Sequence, residues 1–482
     1  MPGPLFSIRA GAETESGLFA AVHPLDAPLW AAGENVVFAD GGPQKMPGWT
    51  RIATATLPVG EVIRGVETQQ TEVGIQRIFL GSQTKLLMWQ AGSGVVQKGT
   101  GYTGLLHETS TTPATSWSFS RFGNWVLTSN GVNKVQVSKN GADFVDLAGT
   151  TFSSAQVLMR RGPHILAMNT SSGGNWIHWS DLDNPEVWAP TAENAAGDLT
   201  IRDLDGPILA VCPLGDQIAI LSKNQFGLLT YTGDAFVFTF QPVLSGIGAV
   251  SKNAVVEANR RIYGMGREGF WACDGVTYQY LDTPAIKDYL AGRVDTSQLS
   301  KVTATYDSSR DMVIWWLPTA VGQENTFGVG YRIKNGSWTL LNFGRSAAAP
   351  QVGAFAYPVA TDTQGGIHLH NSGLNAHTTA MTAWVRTKPL DCDDPSVQKY
   401  LSQVSVQLRR QVGTVKLRIG TSRNLDDEVT WGSYLNLDDG FEAIWVRRSG
   451  RFITLEILSD TLGADWAISG FDLIGDIGGR AV

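Results

Sequence analysis

The sequence predicts an all-β chain: a β-propeller of six to eight blades with an N-/C-terminal β-sandwich platform. Three observations predict it. Of 482 residues, 54 are glycine and 16 are tryptophan, and only 17% are charged, against a usual charged share of about 25%. That balance suits strands and turns, not a coiled coil or a disordered tail. A strand–turn–strand unit also recurs seven times between residues 60 and 373. Finally, the pairs Asn130-Gly131, Asn140-Gly141, Asp274-Gly275 and Asn335-Gly336 suit tight hairpins, because Asn and Gly accept positive φ.

The recurring units are residues 77–96, 125–147, 164–190, 217–241, 261–281, 312–343 and 354–373. Trp89, Val135, Trp179, Leu229, Trp271, Tyr331 and Leu369 serve as matching positions, separated by 38 to 60 residues, in or near the range of propeller blades. A small sheet cannot hide both faces alone, whereas stacking sheets around an axis hides them and leaves short edges. In MVIWWLP (312–318), Met312, Ile314 and Trp316 point one way and Val313, Trp315 and Leu317 the other, which marks a strand squeezed between two layers. Thr283 as cap, Pro284 in the first turn and Gly292 beyond the end predict one short helix between the fifth and sixth units.

Residues 1–60 read as an N-terminal arm with platform strands, the arm over 1–34. Residues 61–384 read as the propeller. Residues 385–482 read as a C-terminal β-sandwich or platform, in which VKLRI (415–419) and FITLEIL (452–458) alternate strictly and are expected to be half-buried.

Net charge is −7, which excludes the basic footprint of a dedicated nucleic-acid binder. The opening MPGPLFSIRAGAETESG has no basic segment followed by an apolar one, so no signal peptide is expected. No run of about 18 apolar residues exists, so no membrane anchor is expected. Cys212, Cys273 and Cys392 are odd in number and widely spaced, as buried or free thiols are.

Chemical motifs are sparse. Gly264 to Gly269 fits G-x-G-x-x-G, but a strand follows where a dinucleotide site needs a helix. His368, His370 and His377 have a spacing that metal sites use, although solvent- or lumen-facing histidines on a blade edge are the plainer reading. Asp181 and Asp183, with Asp203 and Asp205, suit turn-closing side chains better than a calcium loop. Ser138 to Phe144 is close to the Asp-box turn of sialidase-like propellers, one residue short and with Phe144 where Trp is usual. Arg160, Arg161, Arg260 and Arg261 are scattered, whereas a sialidase needs an arginine cluster. Asp426, Asp427 and Glu428, with Asp438 and Asp439, are read as solvated. No catalytic, cofactor or metal residues are assigned, and no enzyme is expected.

ENVVFADGGPQKMPGWTRI (34–52), with Gly42, Lys45, Pro47 and Gly48, followed by Arg64 and Gly65, resembles the opening of tail nozzle proteins of short-tailed phages, the packaged-DNA stabilisation or tail tubular protein B family. IHWSDLDNPEVWAP (177–190) and RRIYGMGREGFWACDG (260–275) are similar to blade motifs of phage virion propellers, and WAISGFDLIGDIGGR (466–480) is similar to phage structural proteins. The long insertion between blades that larger nozzle proteins carry is absent. The resemblance implies a structural protein of the virion tail, assembled in the host cytoplasm. It implies a homo-oligomeric, hexameric ring below the portal and adaptor ring protein, with tail fibre or spike proteins as further partners. Double-stranded DNA would pass through the lumen without specific binding. Six copies would carry about −42, a sign that lets a duplex slide. Arg409, Arg410, Lys416, Arg418, Arg447, Arg448 and Arg451 make the C-terminal part locally basic, for contact with DNA or for salt bridges between subunits. The alternatives are a receptor-binding or tail-tip hub propeller, and a glycan-acting propeller enzyme.

Overall fold

The computed structural model describes residues 4–8, 18, 29–39, 41–233, 237–349, 355–437 and 442–480. Most of the arm expected over residues 1–34 lies outside the described residues, as do Asp438 and Asp439.

Seven four-stranded antiparallel sheets form the body. Six are built from consecutive strands, at residues 66–100, 118–146, 155–200, 210–245, 255–280 and 303–341. The seventh takes Ala347–Ala349, Val359–Thr361 and Gly366–His370, and adds Trp49–Thr54 as its outermost strand. The first strands of the sheets line one central channel, so the sheets are the blades of a seven-bladed propeller. Each of the seven recurring units centres on one blade, 354–373 through its described residues.

Trp49–Thr54 lies in the segment assigned to arm and platform, yet it pairs with Gly366–His370 in the register His370↔Trp49 through Gly366↔Thr54. The reason is topological: an open ring of blades needs a bond between its ends, and an N-terminal strand laid on the last blade supplies one. The expected boundary at residue 384 also moves, because Ala383–Thr387 is one strand of the platform.

That platform is two six-stranded sheets made from both ends of the chain. One runs Val36–Ala39, Gly42–Lys45, Asp465–Arg480, Val397–Val412, Glu442–Gly450, with Pro4–Ile8 also on Asp465–Arg480. The other runs Trp30–Glu34, Ala383–Thr387, Phe452–Ser459, Val415–Ser422, Thr430–Trp431, with Leu435–Leu437 also on Val415–Ser422. Platform and propeller share a core. Trp315 and Trp338 of blade 6 and Phe270 of blade 5 belong to one cluster with Trp30, Val385, Leu417, Trp466 and Phe471.

Met312–Pro318 is buried along its whole length. Val313, Trp315 and Leu317 enter the shared core, while Met312, Ile314 and Trp316 pack with Val37, Met46 and Met381 on the other side. The abundance of glycine and tryptophan has a common cause. Gly264 faces Trp271, Gly197 faces Trp179 and Gly328 faces Trp316 across neighbouring strands. At each glycine a Cβ would come within 2.3–2.6 Å of the indole. The ring lies flat over a strand that offers no side chain, which lets blades stack closely. The helix Pro284–Leu290 has the Thr283 side chain accepting from the Ile286 N–H, as its punctuation predicts.

Phe452–Ser459 departs from the half-buried expectation: all but one of its residues are buried. Its outward Glu456 is 3% exposed because arginine and aromatic side chains from neighbouring strands cover it.

Candidate interaction surface

The residues that carry the family resemblance are packed at the seam where the propeller closes. Lys45 is buried and donates from Nζ to the carbonyls of Ala464 (2.6 Å) and Leu374 (3.1 Å), joining platform to blade 7. Gly48 donates its N–H to Gly373 O at 2.9 Å and lies so close to Asn375 that a Cβ would come within 1.8 Å of its carbonyl oxygen. Trp49 then opens the closing strand, with the Arg345 guanidinium 4.6 Å above its ring and Phe343 4.3 Å away. Arg345 Nε donates to His370 Nε2 at 2.8 Å. Burial pushes the Arg345 guanidinium down to about 9, against the upward pull of Asp362.

Arg64 donates to Leu106 O at 2.6 Å and pairs with Glu324 at 2.5 Å. Lys301 shares that carboxylate at 3.2 Å and reaches His107 Nδ1 at 2.8 Å. Gly65 lies against Trp117. The family-like positions therefore hold blade 1, the connector 101–117, blade 6 and the platform in register.

The three histidines sit at the same seam. His368 is buried, with Nε2 2.8 Å from Asp362 Oδ2, and His370 is stacked on Trp49. Both were expected on a solvent- or lumen-facing edge. The closing strand covers them instead. His377 Nδ1 accepts the Arg51 N–H at 3.3 Å. Among the described residues no three His, Cys, Asp or Glu side chains converge on a possible metal position.

The other motifs resolve into turns and local contacts. Gly264 to Gly269 spans a hairpin between Arg261–Gly266 and Gly269–Cys273. In Ser138 to Phe144, Ser138 Oγ donates to Ala142 O at 2.6 Å across a turn with Asn140 and Gly141 at positive φ. Asp181 accepts the Ala195 N–H, and Asp205 accepts the Ser222 hydroxyl. Arg160 stacks on Phe122, while Arg161 pairs with Asp216. The three cysteines are buried and free.

The propeller axis holds a cavity of about 380 Å³, open to solvent and lined by the first strands of all seven blades. Sequence reading missed its principal residue, Lys252, because nothing local distinguishes one lysine in a turn. From the approach to blade 5 it reaches across the axis and donates to the carbonyls of Ser116 and Gln156, which precede or begin blades 2 and 3. The connector 101–117 latches onto Thr296–Lys301: Gln298 and Ser300 bind Glu108, and Ala114 binds Ser300.

Burial pushes the Lys252 ammonium down to about 7. Between that value and the ordinary 10.5, the folded chain carries this lysine neutral while the unfolded chain carries it protonated. The unfolded state then binds more protons, so stability rises with pH from about 7 to 10.5. The slope is at most about 1.4 kcal/mol per pH unit. Lys252→Met is expected to remove that rise, read from urea denaturation midpoints between pH 7 and 9.5.

The C-terminal basic residues divide into two groups. Arg410 pairs with Asp465 at 2.6 Å, Lys416 with Asp460 at 2.8 Å and Arg418 with Glu456 at 2.6 Å. Arg451 donates to Pro395 O, and Arg409 lies over Gly41. These contacts form within one chain. Arg447 and Arg448 have no ion pair among the described residues. They lie on Glu442–Gly450, the free outer strand of its sheet: Arg447 shares the outward face with Trp445, whose surface is 78% exposed, and Arg448 turns to the other face, against Gly432.

A groove of about 350 Å³ runs between this strand and Gly432, Ser433 and Leu435 of the facing sheet. Beyond it, the guanidiniums of Arg386 and Arg418 stand 4.9 and 4.2 Å from the Trp431 ring, and Arg418 is 4.8 Å from Tyr434. Glu456 sits beneath both arginines. Exposed Trp and Arg at a sheet edge are the residue types that dominate protein interfaces.

No protein-family model matches the chain, and no curated protein matches it. Among the solved structures that resemble it in shape are the following two. One is PorZ, an essential surface component of the type-IX secretion system of Porphyromonas gingivalis, with a TM-score of 0.40 and 9% identity over 74% of this chain and 44% of that one. This chain thus spans less than half the length of PorZ. The other is BBS1N in complex with ARL6DN, with a TM-score of 0.41 and 11% identity over 69% of this chain and 100% of that one. Neither likeness bears on what this chain does.

Proposed function

We propose that the chain is a structural protein of a phage tail: a nozzle subunit that assembles as a ring below the portal and adaptor, retains packaged double-stranded DNA and serves as its conduit on ejection. The observation that carries this reading is the platform edge Glu442–Gly450, an outer strand that turns the exposed Trp445 and Arg447, which has no ion pair among the described residues, outward, while Arg448 on the alternate face lies against Gly432. Such an edge suits subunit contact.

The family-like residues at the seam add support, since they build the fold that would present this edge. The lumen in question lies between subunits: a cavity of about 380 Å³ crossed by Lys252 is no path for a polymer. The net charge of −7 per subunit suits passage without tight phosphate binding. Electron microscopy of the purified chain mixed with the adaptor ring that precedes it is expected to show a closed ring added to the adaptor. Adaptor rings that stay bare, or that bind isolated propellers without closure, would overturn the reading.

A further inference from the structure

The platform edge also indicates what docks on it. Glu442–Gly450 pairs on one side with Val397–Val412, and no strand of the described residues pairs with its other side. An open edge of nine residues is a template for association unless charge, a bulge or a covering element blunts it. Here the outward charge is cationic: Arg447 shares its face with an indole that is 78% exposed, while Arg448 turns to the facing sheet.

A chain of net charge −7 repels copies of itself over most of its surface. At this edge the outward Arg447 puts a cation beside the exposed indole, so an acid-bearing surface of another copy is attracted to it. The chain has such surface to offer: Asp426 and Glu428 are exposed, and neither has an ion pair among the described residues. A head-to-tail contact between two different patches is also the kind that closes into a ring.

We infer that Trp445 and Arg447, on the outward face of this open edge, dock an acidic surface of a second copy of this chain. The inference rests on the ring reading for the order of the assembly, but the contact is testable without it.

The test replaces Trp445 with a photoreactive benzophenone amino acid, in equal mixtures of ¹⁴N- and ¹⁵N-labelled full-length chain, with cross-linked peptides identified by mass spectrometry. Mixed-isotope cross-links to peptides bearing Asp or Glu are expected. Adding Arg447→Glu is expected to cut their yield several-fold, with circular dichroism confirming an unchanged fold. Cross-links confined to single-isotope pairs would overturn the inference, as would a yield indifferent to charge reversal. Trp445 protected by duplex DNA and not by a second chain would also overturn it, in favour of phosphate.

The two readings fail differently. Closed rings on the adaptor from the charge-reversed variant would remove this contact and leave the ring standing. Mixed-isotope cross-links without rings would do the reverse.

Discussion

Alanine at Gly48 is expected to destabilise the folded chain by about 3 kcal/mol, the upper end of what overpacking costs. The added Cβ would sit 1.8 Å from the carbonyl oxygen of Asn375 and 2.5 Å from its carbon. Both are backbone atoms, so no rotamer change relieves the clash. Relief requires moving either the 373–375 turn or the strand that begins at Trp49. The second movement opens the seam, because Trp49 holds the Arg345 and Phe343 stack. Guanidinium denaturation measures the effect. Gly206→Ala is the control: nothing lies within 4 Å of its new Cβ and its φ is ordinary, so a change within about 1 kcal/mol is expected, neutral or stabilising. Equal costs at both positions would show that the close approach at Gly48 is not a constraint.

Glu456→Gln is expected to cost about 3 kcal/mol, near the low end for breaking a buried ion pair. The low end applies because Arg386 and Arg418 keep 34% and 23% of their side-chain surface, and water compensates them in part. One carboxylate accepts from Arg386 at 2.5 Å, Arg418 at 2.6 Å and the Tyr434 hydroxyl at 2.6 Å. Burial alone pushes this carboxyl up, but the hydrogen bonds from Arg418, Tyr434 and Arg386 outweigh it and hold it below the usual 4.5. A depressed acid stabilises the fold at pH above its unfolded value, and that contribution is lost as pH falls through the folded value. The gap between wild type and variant is therefore expected to be full at pH 7 and to narrow below about pH 4.5. A gap constant down to pH 3 would locate the effect in packing and not in charge.

How far the fold was legible follows from the range of each interaction. The recurring units were visible because the second and third strands of every blade are joined by short turns. Asn140-Gly141, with both residues at positive φ, declares its hairpin locally. The alternation in Met312–Pro318 was legible because each face meets its own apolar layer.

The closing strand Trp49–Thr54 was not legible in this way. Its partner lies more than 300 residues away, and no spacing rule links TRIAT to GIHLH. Lys252 stayed hidden for the same reason: its role depends on carbonyls contributed by blades 2 and 3. The basic C-terminal residues were visible as a group. Sorting committed from uncommitted arginines required knowing that Asp460, Asp465 and Glu456 sit across from Lys416, Arg410 and Arg418.

Because an early strand completes the last blade, the barrel of sheets cannot shut until the ribosome has made its far side. Thr54 waits for Gly366, about 310 residues of synthesis, or roughly 15–60 s at ordinary elongation rates. The two platform sheets wait longer still, since each needs strands from beyond residue 396. A prematurely terminated polypeptide would therefore lack both its latch partner and its outermost platform strand. Only a finished chain would carry a closed ring of blades with both platform sheets complete.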